Sequence, residues 1–340
     1  MSFEQRKQRH RLIVIGLFVS LFAAIALSFC LGRYPVSIRE LWGVLTSKII
    51  PVQPFWEPRL ENVLFHIRLP RILLACMVGG SLAAAGVSYQ GIFQNPMASP
   101  DVLGASAGAS FGAALGILLH GSGRTIMALA FLFSLLAVGL VLLFGQRAKG
   151  KRVIALILSG IMVGSLFSAG TSFVKLVADP SNQLPAITYW LMGSLSGAHM
   201  RDVRFAVLPL AIGILPLLLL RFRINLLTLG DAQARTMGIP VRLTRGIVIL
   251  ASTLVTAAAV AVSGTIGWIG LVIPHLSRRL VGNDYRHLMP ASILMGALFL
   301  LLVDNVSRNL FTTEIPLGIL TAFIGAPFFL HLIIKGGEGI

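Results

Sequence analysis

Charged side chains are scarce in this chain of 340 residues, because only 12% of them are charged while 56% are hydrophobic. An average soluble protein carries roughly 25% charged residues, so the deficit excludes an ordinary soluble domain. The mean hydropathy of +0.87 is typical of a polytopic membrane protein. Apolar runs recur along the whole chain, and residues 1–340 are therefore predicted to form one transmembrane domain within the lipid bilayer.

Acidic residues and cysteines are scarcer still. Twelve Asp and Glu stand against 28 Lys and Arg, which gives a net charge of +16. In a soluble protein this excess would indicate nucleic acid. Here the cations fall mostly in short segments between apolar runs, so they indicate membrane orientation and no nucleic-acid partner. The two cysteines, Cys30 and Cys76, form no C-x-x-C pair, so neither a disulfide nor a metal site is expected.

Nucleotide-binding and metalloprotease motifs are missing as well. The glycines at Gly121–Thr125 lack the G-x-x-x-x-G-K-[ST] spacing of a phosphate-binding loop, and no H-E-x-x-H occurs. Few ionisable groups fall inside the predicted spans, which argues against an ion relay. We therefore expect no catalytic residue and no cofactor in this chain. Transport is the favoured function, either driven by a separate ATPase or carried out by the chain alone as an ATP-independent carrier or channel. An intramembrane enzyme is the alternative outside transport.

Apolar runs of about 17–25 residues predict an all-α fold of about ten transmembrane helices. The distribution of Lys and Arg places the N-terminus in the cytoplasm, and an even number of spans returns the C-terminus there. Residues 32–71 then form a long outer segment. The predicted spans are Leu12–Leu31, Ile72–Gln90, Val102–Leu119, Thr125–Phe144, Val153–Val177, Val203–Leu220, Thr244–Val262, Thr265–Leu280, Leu288–Val303 and Glu314–Lys335.

Glycine, by contrast, is abundant, and the stretch Gly79–Gly116 is built largely from Gly, Ala and Ser. Its polar break, Gln90–Asp101, separates two apolar arms. In the second arm, glycines at 104, 108, 112 and 116 predict a groove on one helix face, where another backbone approaches closely. We expect this groove to pack against a neighbouring helix of the same subunit, and the stretch not to touch cargo. The alternative is a flexible linker.

Two polar segments are candidates for contacts with partners. The inner segment Leu226–Leu243 is amphipathic, and Gly230 and Gly238 bracket one short helix, while Pro240 permits another to start. It is either a docking surface for a soluble partner or an ordinary interfacial loop. Near the outer segment, Arg68, Arg71 and Arg308 are predicted to be exposed. They would bind acidic groups of a partner, or they would anchor lipid headgroups.

Several blocks follow one another in a characteristic order, and they cover nearly the whole chain. They are RLPR at 68–71, the run GGSLAAAGVSYQGIFQNPMASPDVLGASAGA from Gly79, LGDAQARTMGIP from Leu229, GTIGWIGLVIPHLSRRLVGNDYRHLMP from Gly264, VDNVSRNL from Val303, and EIPLGILTAFIGAPFFL from Glu314. In this order they resemble the permease subunits of bacterial iron–siderophore, haem and cobalamin ABC importers, the FecCD/BtuC-type family.

This resemblance implies a type II ABC importer permease in the bacterial or archaeal cytoplasmic membrane. It implies a homodimer of ten-span subunits, two copies of a separate ATPase that binds ATP and Mg, and an extracytoplasmic substrate-binding protein. Ferric siderophore is the expected cargo, with cobalamin, haem and molybdate as alternatives. By resemblance, residues 226–243 contain the cytoplasmic coupling helices. The matching residues are Leu229, Gly230, Asp231, Ala234, Arg235 and Gly238 for ATPase coupling, Arg68, Arg71 and Arg308 for binding-protein docking, and Arg152, Val153 and Ile154 for the inner gate.

Overall fold

The computed structural model of the chain describes residues 3–48, 50, 53–147 and 152–335. These residues are mostly helical and include no β-strand, so the all-α prediction is confirmed. The helices are α1 Phe3–Cys30, α2 Ile38–Ser47, α3 Pro58–Asn62, α4 Leu69–Phe93, α5 Ala105–Leu118, α6 Gly123–Arg147, α7 Arg152–Val177, α8 Gln183–Leu191, α9 Met200–Leu219, α10 Arg221–Leu227, α11 Asp231–Thr236, α12 Val241–Ser263, α13 Ile269–Val281, α14 Tyr285–Asn309 and α15 Leu317–Lys335.

Seven helical runs among the described residues are long and apolar enough to cross a membrane. Each of the ten predicted spans overlaps one helix, but α5 has 14 residues and α13 has 13, fewer than the roughly 20 that a full crossing needs. The span predicted from Thr265 is helical only from Ile269, because Gly264 and Trp268 both have positive φ. The chain is thus a multi-pass membrane protein, and ten crossings remain a prediction.

Helix α4 is the centre of the core, and it packs against α14, α12, α13 and α9. Nearly every side chain from Ile72 to Phe93 is buried. Small residues make this packing possible, because a Cβ at Gly79 would collide with the Gly296 carbonyl and one at Gly86 with the Gly270 carbonyl. In a membrane such close backbone approach replaces the hydrophobic effect as the source of helix association.

The glycine groove on α5 packs inside the subunit, as predicted. Gly108 and Gly112 lie against the α6 carbonyls of Phe133 and Leu129. Gly104 is different: it has φ +75° and ends the 3₁₀ turn Pro100–Leu103. It lies against Gly160 and Gly164 of α7. The predicted span beginning at Val102 is therefore helical only from Ala105, and the preceding turn is held against α7 by contacts between glycines.

Residues of the long segment between α1 and α4 form a small core of their own. Val36, Leu41, Val44, Trp56, Leu60 and Leu64 are buried together. Helix α2 begins with a capping box, in which the Ser37 hydroxyl accepts from the Glu40 amide and the Glu40 carboxylate accepts from the Ser37 amide. A π-helical stretch, Val63–Arg68, then leads into α4. It sets the position of Arg68 and Arg71 at the start of that helix.

Candidate functional site

The three arginines predicted for docking lie together, but they are buried rather than exposed. Arg68, Arg71 and Arg308 are 3%, 6% and 7% exposed. With Asp304 and Glu314 they form what we call the arginine cluster. It joins the start of α4 to the end of α14 and to the segment before α15. The expectation of exposed arginines is therefore wrong in this conformation, while a docking role stays a prediction.

Arg71 makes the central ion pairs of the arginine cluster. Its Nε donates to both carboxylate oxygens of Asp304, at 2.9 and 3.1 Å, and its Nη1 donates to Glu314 Oε1 at 2.9 Å. Asp304 is fully buried. A buried charge is costly unless it is paired and hydrogen-bonded, so Arg71 and Asp304 each make the other's burial possible.

The other two arginines connect the arginine cluster to α1. Arg308 Nη2 donates to the carbonyl and hydroxyl oxygens of Ser28, at 2.8 and 2.7 Å, and also to Asn305 Oδ1. Arg68 donates to the carbonyls of Phe29 and Tyr34. Three chain segments distant in sequence, 28–34, 68–71 and 304–314, thus meet at these guanidinium groups. Asp304 and Glu314 are the residues that sequence analysis did not connect with the arginines. The i,i+4 spacing of Asp304 and Arg308 on one helix was a local signal for one contact, but no local pattern pairs Arg71 with Asp304, 233 positions away.

Residues 229–238, which we call the 229–238 segment, present a different surface. Helix α11 lies between Gly230, with φ +109°, and Gly238, with φ +77°, so the predicted short helix bracketed by these glycines is confirmed. Leu229 is 53% exposed and Met237 is 55% exposed. Arg235 and Gly238 are exposed as well, whereas Ala234 is fully buried. The segment therefore has one anchored face and one face free for a partner.

One ion pair fixes the 229–238 segment to the core. Arg245 of α12 donates to the two carboxylate oxygens of Asp231, at 3.1 and 2.7 Å. The hydrogen bond and the charge of Arg245 lower the pKa of Asp231 against a smaller opposing effect of burial. Asp231 is thus an anchor for α11 rather than a group on its free face.

The arginine cluster and the 229–238 segment lie at opposite ends of the α4–α14 pair. At the far end of α4 from Arg71, the Gln94 side chain donates to the Leu227 carbonyl at 2.8 Å. The first residue of α14, Tyr285, donates its amide to Asn225 at 3.3 Å. Helix α4 has 25 residues, a length of about 37 Å, so the two regions are on opposite sides of the subunit.

The predicted inner gate lies at the start of α7, which begins at Arg152. The side chain of Arg152 is outside the described residues. Val153 is partly buried against the main core, and Ile154 is 52% exposed. The structure does not bring these residues together with the arginine cluster, and their gate role stays a prediction.

Two open cavities meet at Asp101, a residue that sequence analysis placed away from cargo. One, of about 480 Å³, lies between the 3₁₀ turn, residues 191–192, residues 265–268 and α15. The other, of about 600 Å³, lies between the turn, α5 and α7. Asp101 and Ser106 line both. Residues Gly104–Gly108 read G-x-S-x-G, but Ser106 donates its hydroxyl to Asp101 and no histidine lines either cavity, so a hydrolytic triad is not assembled there.

Comparisons with known proteins agree with this architecture. A sequence model of the FecCD transport family matches residues 18–335. The molybdate import system permease protein MolB of Haemophilus influenzae is 39% identical over 327 residues, with 96% of each chain covered. A protein of Helicobacter pylori, named "Probable iron chelatin transport system permease protein", is 44% identical over 276 residues, covering 81% of this chain and 83% of that protein. A solved structure described as an inward-facing conformation of a metal-chelate type ABC transporter has 39% identity and a TM-score of 0.86, covering 95% of this chain and 99% of that chain.

Proposed function

This chain belongs to the FecCD transport family and is a permease of the ABC importers for metal chelates, and we propose that it moves a ferric siderophore into the cytoplasm, driven by a separate ATPase. The 229–238 segment carries this proposal. It offers an exposed apolar face at Leu229 and Met237, fixed from behind by Ala234 and by the Asp231–Arg245 ion pair. Because the chain has no phosphate-binding loop of its own, it needs a contact surface through which a separate ATPase transmits its ATP-driven conformational change.

The working importer would contain two copies of this chain, two ATPase subunits that bind ATP and Mg, and a substrate-binding protein outside. Both central cavities open to the exterior of the single subunit, which suits a path completed by a second copy. In this arrangement the chain crosses the membrane ten times with both termini in the cytoplasm. Leu229, Gly230, Arg235 and Gly238 would contact the ATPase, and residues 152–154 would narrow the inner end of the path.

The proposed docking role of the arginine cluster depends on its polar side-chain atoms that have no hydrogen-bond partner. Arg71 Nη2, Arg308 Nε and Glu314 Oε2 are buried and make no hydrogen bond within the described chain. A binding protein that inserts acidic and donor groups here would satisfy them, since buried polar groups are normally paired. Docking would then require a small opening of this end rather than simple surface contact.

Molybdate is the second candidate cargo. The observation that favours it is the 39% identity, over nearly the whole chain, to a protein named as a molybdate import permease. Cobalamin and haem remain further alternatives within the same family resemblance. The cavities of about 480 and 600 Å³ accommodate either a small oxyanion or part of a larger chelate, so their size does not separate the candidates.

Uptake into proteoliposomes tests the proposal. The permease is reconstituted with and without its ATPase partner, with the binding protein outside, and accumulation of a radioactive ferric siderophore or of molybdate is followed. We expect accumulation of the ferric siderophore only when the ATPase and ATP are both present. Accumulation without the ATPase would show an ATP-independent carrier, and ATP-dependent accumulation of molybdate alone would replace the cargo while leaving the importer mechanism intact.

A further inference from the structure

Asp101 lines three cavities around the 3₁₀ turn. It lines the cavity of about 480 Å³, the cavity of about 600 Å³ and a small pocket beneath Trp268. Ser106 is the other residue common to all three. The Asp101–Ser106 pair therefore stands at the wall between the spaces, and a solute passing through either large cavity comes close to its carboxylate.

The rest of the cavity lining carries no ionisable side chain. On one side it consists of Leu, Met, Thr, Ile, Gly, Trp and Ala. On the other it consists of Val, Gly, Ala, Ile and Ser. Among the described lining residues, Asp101 is therefore the one with an acidic side chain, and the field of its ionised form acts through walls of low polarity, where a charge is screened less than in bulk water.

No cation neutralises this carboxylate within the described part of the chain. Asp101 makes none of the ion pairs there, and its hydrogen-bond donor is the Ser106 hydroxyl. Asp304 of the arginine cluster, by contrast, is bound by Arg71. The difference matters because a neighbouring cation cancels most of the field of a paired carboxylate, whereas the group that donates to Asp101 is a neutral hydroxyl.

The turn that carries Asp101 is held in place by glycine contacts. A Cβ at Gly160 of α7 would collide with the Val102 carbonyl, and Gly104 packs against Gly164. Pro100, at the start of the turn, lies against Gly270 of α13. The carboxylate is therefore positioned by backbone packing on two sides, as a site that acts on a passing solute requires.

We propose that Asp101 is a charge filter of the cargo path, which favours neutral or cationic chelates over oxyanions such as molybdate. This inference rests on the proposed function only in taking these cavities as the route of the transported solute. The electrostatic preference itself is a property of the subunit. It commits the importer to a substrate class and ranks the ferric chelates with no net negative charge above the alternatives.

Thiol reaction rates measure this preference directly. Ser165→Cys or Ala322→Cys is introduced, one in each cavity, into the full-length chain with Cys30→Ala and Cys76→Ala. The permease in proteoliposomes is then treated with methanethiosulfonates of matched size that carry trimethylammonium or sulfonate. Each rate is divided by that of a small free thiol. We expect the cation-to-anion ratio to exceed unity at both cysteines, and Asp101→Asn to lower it about fivefold.

The matched control is Glu57→Gln, which also removes one carboxylate, at an exposed position of the segment between α1 and α4. It should leave both ratios unchanged. The series is repeated at alkaline pH, so that an ionised Asp101 carboxylate is compared with the neutral Asn. Equal cation-to-anion ratios in the parent and in Asp101→Asn, at both neutral and alkaline pH, would contradict the proposed charge filter. So would cysteines that react with neither reagent, because then no aqueous path passes Asp101. Neither result depends on an ATPase, so failure of the filter is distinct from failure of the proposed importer.

Discussion

The arginine cluster and the 229–238 segment use charge in opposite ways. In the arginine cluster, Arg71 and Asp304 are almost completely buried and bind each other. In the 229–238 segment, Arg235 is exposed, and the one ion pair, Asp231–Arg245, has a carboxylate side chain that is 40% exposed. Buried pairs hold the helices in one arrangement, whereas exposed groups are available to contact a partner protein. Position in the fold, rather than residue type, therefore decides which arginine stabilises the helix packing.

Reversing the charge of Arg71 is the strongest challenge to this comparison. Arg71→Glu places a third carboxylate beside Asp304 and Glu314, and we expect it to destabilise the fold by at least about 4 kcal/mol. Thermal unfolding in detergent and the yield of monodisperse protein report the loss. Arg59→Glu, at an exposed position, is the control and should change stability by less than about 0.5 kcal/mol.

A contrary outcome would favour docking over architecture. If Arg71→Glu unfolds at the parent temperature and only its affinity for the binding protein falls, the arginine cluster is a docking surface whose internal ion pairs contribute little. Arg68→Glu together with Arg71→Glu would then weaken binding further while the basal ATPase rate of the complex stays unchanged.

Removing one carboxylate from each region gives the second largest contrast. Asp304→Asn leaves Arg71 and Arg308 buried without their shared partner, and we expect a cost of about 3 kcal/mol. Asp231→Asn affects a pair that is partly in solvent and should cost under about 1 kcal/mol. The two variants are compared by the midpoint of thermal unfolding. Equal midpoints would show that burial does not separate the two ion pairs.

The third prediction separates fold from function at Gly238. Gly238→Leu forces a branched side chain into φ +77°, which costs about 1 kcal/mol. No atom lies within 4 Å of the added Cβ, so the fold should survive while the new side chain blocks the ATPase contact. We expect ATP hydrolysis to persist and uptake to be lost. Gly139→Leu, on an exposed face with equal space, should transport normally, and normal uptake by Gly238→Leu would contradict the coupling role.

The smallest expected effect is the pH dependence of the Asp231–Arg245 pair. Because the pKa of Asp231 is lowered in the folded state, its stabilisation is present above the ordinary Asp pKa of about 3.9. It is lost as the pH falls through the lower folded value. The difference in unfolding midpoint between the parent and Asp231→Asn should therefore shrink as the medium is made strongly acidic. A difference that grows in acid would reverse the sign and exclude this linkage.

Much of the helical layout could be predicted from apolar runs, since a span needs length and apolarity before anything else. The prediction Val153–Val177 differs by one residue from helix Arg152–Val177, and the glycine-bracketed helix before Gly238 is where it was expected. The misses at Val102 and Thr265 share one cause. Both runs stay apolar through a turn in which glycine or Trp268 has positive φ, and hydropathy does not detect backbone conformation.

The sites were less predictable than the helices. Exposure of Arg68 and Arg71 was inferred from their place beside a span, but their environment depends on Asp304, which lies 233 positions after Arg71. Asp101 was assigned to a break without contact to cargo, and only the approach of α7 and α15 to the turn reveals the two cavities that it lines. Short-range patterns carry no information about such contacts.

The sequence by itself determined that this protein is an all-α membrane protein, because its apolar runs and its lack of charge leave no soluble alternative. Its ordered motifs also determined the family. Only the tertiary structure decided which charges are neutralised inside the protein and which remain free to act. The physical reason is that the effect of a charge depends on the partners and solvent around it: Arg71 and Asp304 neutralise each other in the core, while Asp101 faces open space with a serine hydroxyl beside it.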